Sequence, residues 1–204
     1  MKTKRFFLLL AFVSLCVFAK GQNNTINGRE YVDLGLPSGL KWAACNVGAN
    51  SPEEYGDYYA WGEVSIKEEY TIQNSTCSGK KMDCITANPD YDVARNKWGA
   101  TWRLPTKDEL EELEKNCSWE WTNINGVNGY KVTSGKNGNS IFLPAAGFQS
   151  SSSNKYQGTF AYYWSSTPEI NNDYRAWLIT LSRGTHRIDR LNRKEGYSVR
   201  PVSE

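Results

Sequence analysis

Trp102-Arg103-Leu104-Pro105-Thr106-Lys107-Asp108-Glu109-Leu110 is the stretch from which the fold is read first. An extended segment reaches a proline that sets a turn, and the chain then enters a helix. Thr106 and Glu109 stand three residues apart, the spacing of a capping box: the Thr106 hydroxyl accepts the N3 amide and Glu109 reaches back to the Thr106 amide. Leu110, Leu113 and the aliphatic stem of Lys115 then give a short apolar stripe on an otherwise acidic helix that ends near Asn116.

The rest of the chain reads as short strands around this one helical stretch. Tyr31 to Leu36 and Leu40 to Ala43 form the arms of a hairpin around Pro37-Ser38-Gly39. Residues 51–100 are rich in Gly, Asn, Asp and Tyr with weak periodicity, which predicts a long ordered loop region. Tyr130 to Thr133 and Ser140 to Leu143 flank Gly135-Lys136-Asn137-Gly138, a hairpin signal. Phe160 to Ser165, Tyr174 to Leu181, Thr185 to Leu191 and Tyr197 to Val202 are strand candidates. Side chains alternate along a strand, so Tyr162 and Trp164 should share one face, as should Trp177, Ile179 and Leu181. Ser150 to Asn154 is a small polar tract read as a loop, and no internal repeat of fixed period is present.

Residues 1–21 read as a signal peptide. Lys2, Lys4 and Arg5 form a basic start, Phe6 to Ala19 is a mostly apolar run, and small Ala19 and Gly21 precede a cleavage before Gln22. Leu15 ahead of Cys16 argues against a lipoprotein signal, and the apolar run is too short to span a bilayer. Four of the 24 Lys and Arg lie in this segment and no acid does, which leaves 20 against 22 Asp and Glu. The nominal +2 becomes −2, and the compositional hint of nucleic acid disappears with it. Charge is uneven: residues 53–70 hold six acids and one base, residues 183–200 six bases and two acids. Such opposed patches are read as solvated faces or an internal match.

The remaining 22–204 fit a single domain able to bury a sizeable core. Eight Trp and twelve Tyr point to a rigid, β-rich extracellular domain. Its cysteines are Cys45, Cys77, Cys84 and Cys117. In an exported chain disulfides are expected, with three connectivities open; the preferred pairs are Cys77 with Cys84, closing a polar loop, and Cys45 with Cys117. A mature chain without free thiols follows from that reading. No C-x₂-C pair exists and the one His is remote, so no zinc site is expected.

Arg103-Leu104-Pro105-Thr106 with its acidic helix resembles the corresponding motif of the formylglycine-generating (sulfatase-modifying) enzymes, and Gly196-Tyr197-Ser198-Val199-Arg200-Pro201-Val202 resembles their closing strand. A closer resemblance is to the Fibrobacter succinogenes major paralogous domain family of exported bacterial proteins. It lies in Tyr31 to Ala43, Asn46-Val47-Gly48-Ala49, Tyr58-Tyr59-Ala60-Trp61-Gly62-Glu63, Phe142 to Gly147 and Tyr163-Trp164-Ser165-Ser166, in order over most of the mature chain. The resemblance implies an α+β, C-type-lectin-like fold, with twisted antiparallel sheets, one or two short helices and long ordered loops. It also implies export from a Bacteroidetes-like bacterium, and no agreed activity.

Catalytic readings find little support. The formylglycine-generating activity needs a late cysteine, and none follows Cys117, so its copper- and oxygen-dependent chemistry has no first ligand. Ser38 in Gly35-Leu36-Pro37-Ser38-Gly39 stands one position too late for a nucleophile elbow, and His186 is the one imidazole available as a base. The neighbouring acids Glu53/Glu54, Glu68/Glu69 and Glu111/Glu112 point in different directions. Neither Gly79-Lys80 nor Gly135-Lys136 belongs to a phosphate loop. Pro168-Glu169 and Asn171-Asn172-Asp173 offer oxygens near where sugar-binding C-type lectins hold calcium, but in another order and too few for a hard cation; a hairpin turn is the plainer reading.

These observations lead to an expectation of a non-catalytic binding module without cofactor, recognising glycan or protein at the bacterial surface. The alternative is an assembly subunit of a surface appendage or envelope complex. Binding residues concentrate on loops of rigid scaffolds, and the late loops 149–157, 167–174 and 183–195 are the polar ones. Tyr156, Asn172, Asp173, Tyr174, His186 and Arg187 are expected to line the binding surface. Trp42, Trp164 and Trp177 are expected in the core, and Tyr156, Tyr163 and Tyr174 at the surface.

Overall fold

The computed structural model describes residues 24–204, so the expected signal peptide, residues 1–21, lies outside the described residues. In chain order come β1 (Thr25–Ile26), β2 (Arg29–Asp33), β3 (Lys41–Ala43), α1 (Val93–Trp98), α2 (Lys107–Asn116), β4 (Cys117–Ile124), β5 (Val127–Ser134), β6 (Ser140–Pro144), β7 (Phe148–Ser150), β8 (Ser153–Lys155), β9 (Phe160–Pro168), β10 (Arg175–Ser182), β11 (Thr185–Asn192) and β12 (Val202–Ser203). These strands form sheets of order β1-β2-β3-β12, β11-β10-β9, β4-β5-β6 and β7-β8, with antiparallel pairing. Antiparallel sheets with two short helices make the fold α+β.

Both halves of the capping box form at α2. Thr106 Oγ1 accepts Glu109 N at 3.3 Å, and Glu109 Oε2 accepts Thr106 N at 2.7 Å. The same Glu109 carboxylate also receives the Arg103 guanidinium as a fork, with both bonds at 2.8 Å. Burial alone would raise the Glu109 pKa, but the Arg103 fork outweighs it and holds the carboxyl below its ordinary range. Arg103 therefore locks the strand before the helix to the helix's first turn, while Trp102 and Leu104 on either side enter the core. Leu110 and Leu113 are buried as expected, but Lys115 is not part of the stripe; its side chain is exposed and its ammonium lies 3.7 Å from Glu111.

Sheet β11-β10-β9 is the middle layer, with a core on each side. On one side Ala176, Leu178, Tyr162 and Trp164 pack with Tyr59, Trp61, Trp102 and Tyr197. On the other Ile179, Leu181, Ala161 and Tyr163 pack with Leu110, Leu113, Ile141 and Leu143. Tyr162 and Trp164 thus share a face, as alternation required. Trp177 shares the face of Ile179 and Leu181, as the unbroken β10–β11 register requires, but it departs from the expected core burial: its indole is only half-buried, next to a register shift in the β9–β10 pairing between Ala176 and Leu178. Tyr163 also departs, being fully buried with its hydroxyl donating to Pro144 O at 2.8 Å, so it offers nothing to a ligand.

Five elements escaped the reading: β1, α1, β4, β7 and β8. Helix α1 lies inside the loop region 51–100 and is held by Asp92, whose carboxylate accepts from Ala94, Arg95, Ala87 and Leu104 amides. Strand β4 pairs with β5 residue for residue around Asn125-Gly126, both at positive φ, a two-residue turn of the kind hairpins favour. The tract Ser150–Asn154 is a small hairpin of β7 and β8.

The expected strand Tyr197 to Val202 is instead an extended stitch. It bridges Tyr59 through Tyr197 and Tyr163 through Ser198, then enters β12 against β3, where Val202 also bridges Arg103. Arg200 on this stitch is buried without a carboxylate, donating to Asn46 Oδ1, Ala43 O, Ala44 O and Phe142 O at 2.5–3.0 Å. It cross-links three segments distant in sequence.

Candidate functional site

The structure does not gather the six expected site residues into one surface. Along β10, Leu181 pairs with His186 and Arg175 with Asn192, so His186 and the β9–β10 turn lie about 20 Å apart at opposite ends of the sheet. Tyr156 and Arg187 belong to the His186 end but to the aromatic side. Tyr156, 60% exposed, continues a series of rings through Phe160 and Phe148 to Tyr162 and Tyr197, with centroids 5.0–6.2 Å apart. Arg187 stands in the row Tyr162–Thr180–Arg187 and pairs with Asp189 at 2.9 Å. His186 faces the opposite side, stacked on Trp119 of β4 at 4.8 Å with the ring planes 7° apart.

Asn172, Asp173 and Tyr174 hold the β9–β10 turn. Asn172 Oδ1 accepts Tyr174 N at 3.0 Å, and Asp173 O accepts Gly79 N at 3.0 Å. Tyr174, 52% exposed, lays its ring on Gly79, where an added Cβ would come within 3.1 Å of it. At φ +78 Gly79 also adopts a conformation that L side chains avoid. These groups dock the 77–80 loop onto the turn.

The concave feature beside them is a cleft of about 320 Å³ lined by Glu169, Ile170, Asn171, Trp177 and Arg190. Its aromatic wall is the half-buried Trp177, with the Arg190 guanidinium 5.1 Å and the Lys107 ammonium 5.0 Å from the ring centroid. Arg190 pairs with Glu169 Oε1 at 3.2 Å, while the buried Glu169 Oε2 has no partner. Ile170, 89% exposed, stands at the rim. The turn is pinned from behind by Glu169 N to Arg175 O at 3.1 Å and by Arg175 N to Asn172 O at 3.1 Å. An aromatic face with a carboxylate, an amide and a guanidinium around it suits a ligand that is apolar on one side and hydroxylated at its edge.

Neither expected disulfide forms, and all four cysteines of the described residues are unpaired. Cys77 is buried with its thiol directed to Gly62 O at 3.4 Å, whereas Cys84 is exposed beside Thr86 and Ser166. Cys45 lines a cleft with Arg29, Glu30 and Trp98, while Cys117 packs on the other core at the start of β4. Sequence proximity put Cys77 and Cys84 together, but the fold points their side chains to different surroundings. Burial pushes the Cys117 thiol up to about 11, helped by Glu112, and raises Cys45 and Cys77 as well, which disfavours the thiolate. Among the described residues no group of three or more His, Cys, Asp or Glu could hold a metal ion, and no helix is long and apolar enough to cross a membrane.

The family model described as Lcl C-terminal domain matches residues 35–203. The chain belongs to the Lcl C-terminal domain family. No curated protein and no solved structure matches it. The matched Lcl C-terminal domain range begins just after β2 and runs to β12, so it contains the capping box, most of both cores and the Trp177 cleft. Within the domain, sequence reasoning came within one to three residues of Glu169, Ile170 and Asn171 by marking the 167–174 loop. It missed Trp177 and Arg190, which reach the cleft through a register shift and a cross-strand pairing that no local pattern announces.

Proposed function

We propose that this is an exported, non-catalytic binding module of C-type-lectin-like fold, akin to the Fibrobacter succinogenes major paralogous domains, that takes a glycan at the bacterial cell surface. The observation that carries the reading is the Trp177 cleft, where a half-buried indole meets a carboxylate with one buried oxygen left unpartnered. A sugar ring stacks its C–H face on such an indole and offers hydroxyls to Glu169, Asn171 and Arg190. The rigid turn supports this: a preorganised site loses little entropy on binding. Export rests on the signal-like residues 1–21, and the non-catalytic reading rests on the lack of a cysteine after Cys117 and on the one His, His186, being stacked on Trp119.

Screening the mature protein on a glycan array, followed by titration calorimetry on the best hit, tests the proposal. Trp177→Ala should weaken binding at least about tenfold, or roughly 1.4 kcal/mol, and Glu169→Gln should weaken it while leaving the melting temperature near that of the wild type. A folded wild type that retains no glycan, or hits indifferent to both substitutions, sinks the reading.

A further inference from the structure

Among the described residues, strand β11 ends the central sheet, with β10 as its one strand neighbour. The two pair without interruption from Ser182–Thr185 to Arg175–Asn192. A two-residue turn, Arg183-Gly184, makes Ser182 and Thr185 the closing hydrogen-bonded pair. Alternation along an antiparallel ladder then turns the N–H and C=O of His186, Ile188, Arg190 and Asn192 away from β10. Two of these outward groups are already engaged: Asn192 O accepts Glu195 N at 3.2 Å, and Arg190 N donates to Asp189 Oδ1 at 2.8 Å, a carboxylate oxygen where the carbonyl of another strand would sit.

The edge is also charged in one sense. Arg183, Arg187 and Arg190 are exposed along it. Their partners are less accessible: Asp189 lies 2.9 Å from Arg187 and Glu169 3.2 Å from Arg190, and both carboxylates are more buried than the guanidinium they pair with. Cationic tips are therefore outermost. The other long edge, β4, carries a single acid, Glu120, between Trp119 and Trp121, and offers no such charge.

We propose that the free edge of β11 accepts an acidic, extended peptide as an added strand. A peptide carbonyl displaces Asp189 from the Arg190 amide, further backbone bonds form at Ile188 and His186, and the peptide's carboxylates pair with Arg183 and Arg187. Main-chain bonds supply the affinity and the arginines the selectivity. This surface is separate from the Trp177 cleft apart from Arg190, so it stands or falls independently of glycan binding.

The test uses the mature protein and an eight-residue peptide of alternating valine and glutamate, read by fluorescence anisotropy and residue-resolved amide exchange. Binding should slow exchange at Ile188 and Arg190 at least about tenfold, with the inward-facing amides of β10 unchanged, and a lysine-for-glutamate peptide should not bind. Arg190→Pro should bind more weakly than Arg190→Ala by about threefold to tenfold, because only the proline removes the outward donor. Should the proline variant fail to fold, the exchange pattern of the wild type still decides. Equal binding of both peptides, binding without protection of the edge amides, or binding of a sulfated polysaccharide alone overturns the proposal.

Discussion

On one side of the central sheet Ile179, Leu181 and Tyr163 meet Leu110 and Leu113 of a capped helix; on the other Leu178, Tyr162 and Trp164 meet Tyr59, Trp61 and Tyr197, which come from loops and the closing stitch. The first side is mainly aliphatic and built from regular elements that satisfy their own backbone. The second is aromatic and covered by irregular chain, whose carbonyls need other donors. Two buried arginines tie this irregular chain to the strands around it. Arg200 serves Ala43, Ala44 and Phe142, while Arg193 serves Arg175, Cys77 and Lys80 and stacks on Trp61 at 4.5 Å. Desolvation lowers the pKa of both, yet neither has a buried carboxylate partner, so backbone dipoles and an aromatic face carry the charge. A core can thus be stitched by buried arginines that donate to strand and loop carbonyls alike.

If that contrast holds, Arg200→Met should be the most damaging single change. It leaves several buried acceptors empty, each costing about 1–3 kcal/mol, for a loss above about 4 kcal/mol in chemical denaturation. A loss under about 2 kcal/mol would mean that water replaces the guanidinium and the two sides are not built differently. Leu113→Ala, on the aliphatic side, should cost about 2–4 kcal/mol through cavity formation, measured the same way. A cost exceeding that of Arg200→Met would reverse the order drawn above.

The corner that joins the two sides is sensitive to pH. Glu109 and Asp33 have carboxyl pKa values lowered in the fold, Glu109 by Arg103 against the effect of burial and Asp33 first by its bond to Lys41. A lowered folded-state pKa means that the stability from the ionised form is complete above the ordinary carboxylate range, near about pH 4, and is lost as pH falls through the folded values. Glu109→Gln should therefore cost about 1–2 kcal/mol at pH 7 and progressively less below about pH 4, as followed by denaturation at several pH values. A cost that does not vary with pH would assign the effect to the cap geometry alone.

The smallest change is expected where both sides give way to solvent. Tyr156→Ala and Tyr174→Ala should each shift stability by no more than about 0.5 kcal/mol, measured by thermal melting, as exposed substitutions do. A larger shift at Tyr156 would place it in the aromatic core through its contacts with Phe148 and Phe160.

The elements read from the sequence share a property: their signals lie within a few residues. Thr106 and Glu109 form one turn of helix, Gly135 to Gly138 one hairpin, and Tyr162 and Trp164 one strand face. The misses are long-range. Cys77 and Cys84 are close in sequence yet unpaired because Gly62 and Ser166 claim their surroundings. Asn172, Asp173 and Tyr174 were read as ligand contacts and turn out to dock the 77–80 loop, while the cleft falls to Glu169, Ile170 and Asn171 beside them. Local polarity marks a loop without saying which of its groups are already bonded.

By itself, the sequence determined the α+β class, the capped helix, the hairpins at 31–43 and 130–143 and the shared faces of Tyr162 with Trp164 and of Trp177 with Ile179 and Leu181, because turns, caps and alternation are local properties of the backbone. Only the tertiary structure decided that Arg200 holds three distant segments, that Trp177 leaves the core for a cleft with Arg190, and that β11 has no strand on its far side among the described residues. Each of these depends on which groups far apart in the chain satisfy one another's hydrogen bonds, and that accounting closes only when the whole chain has folded.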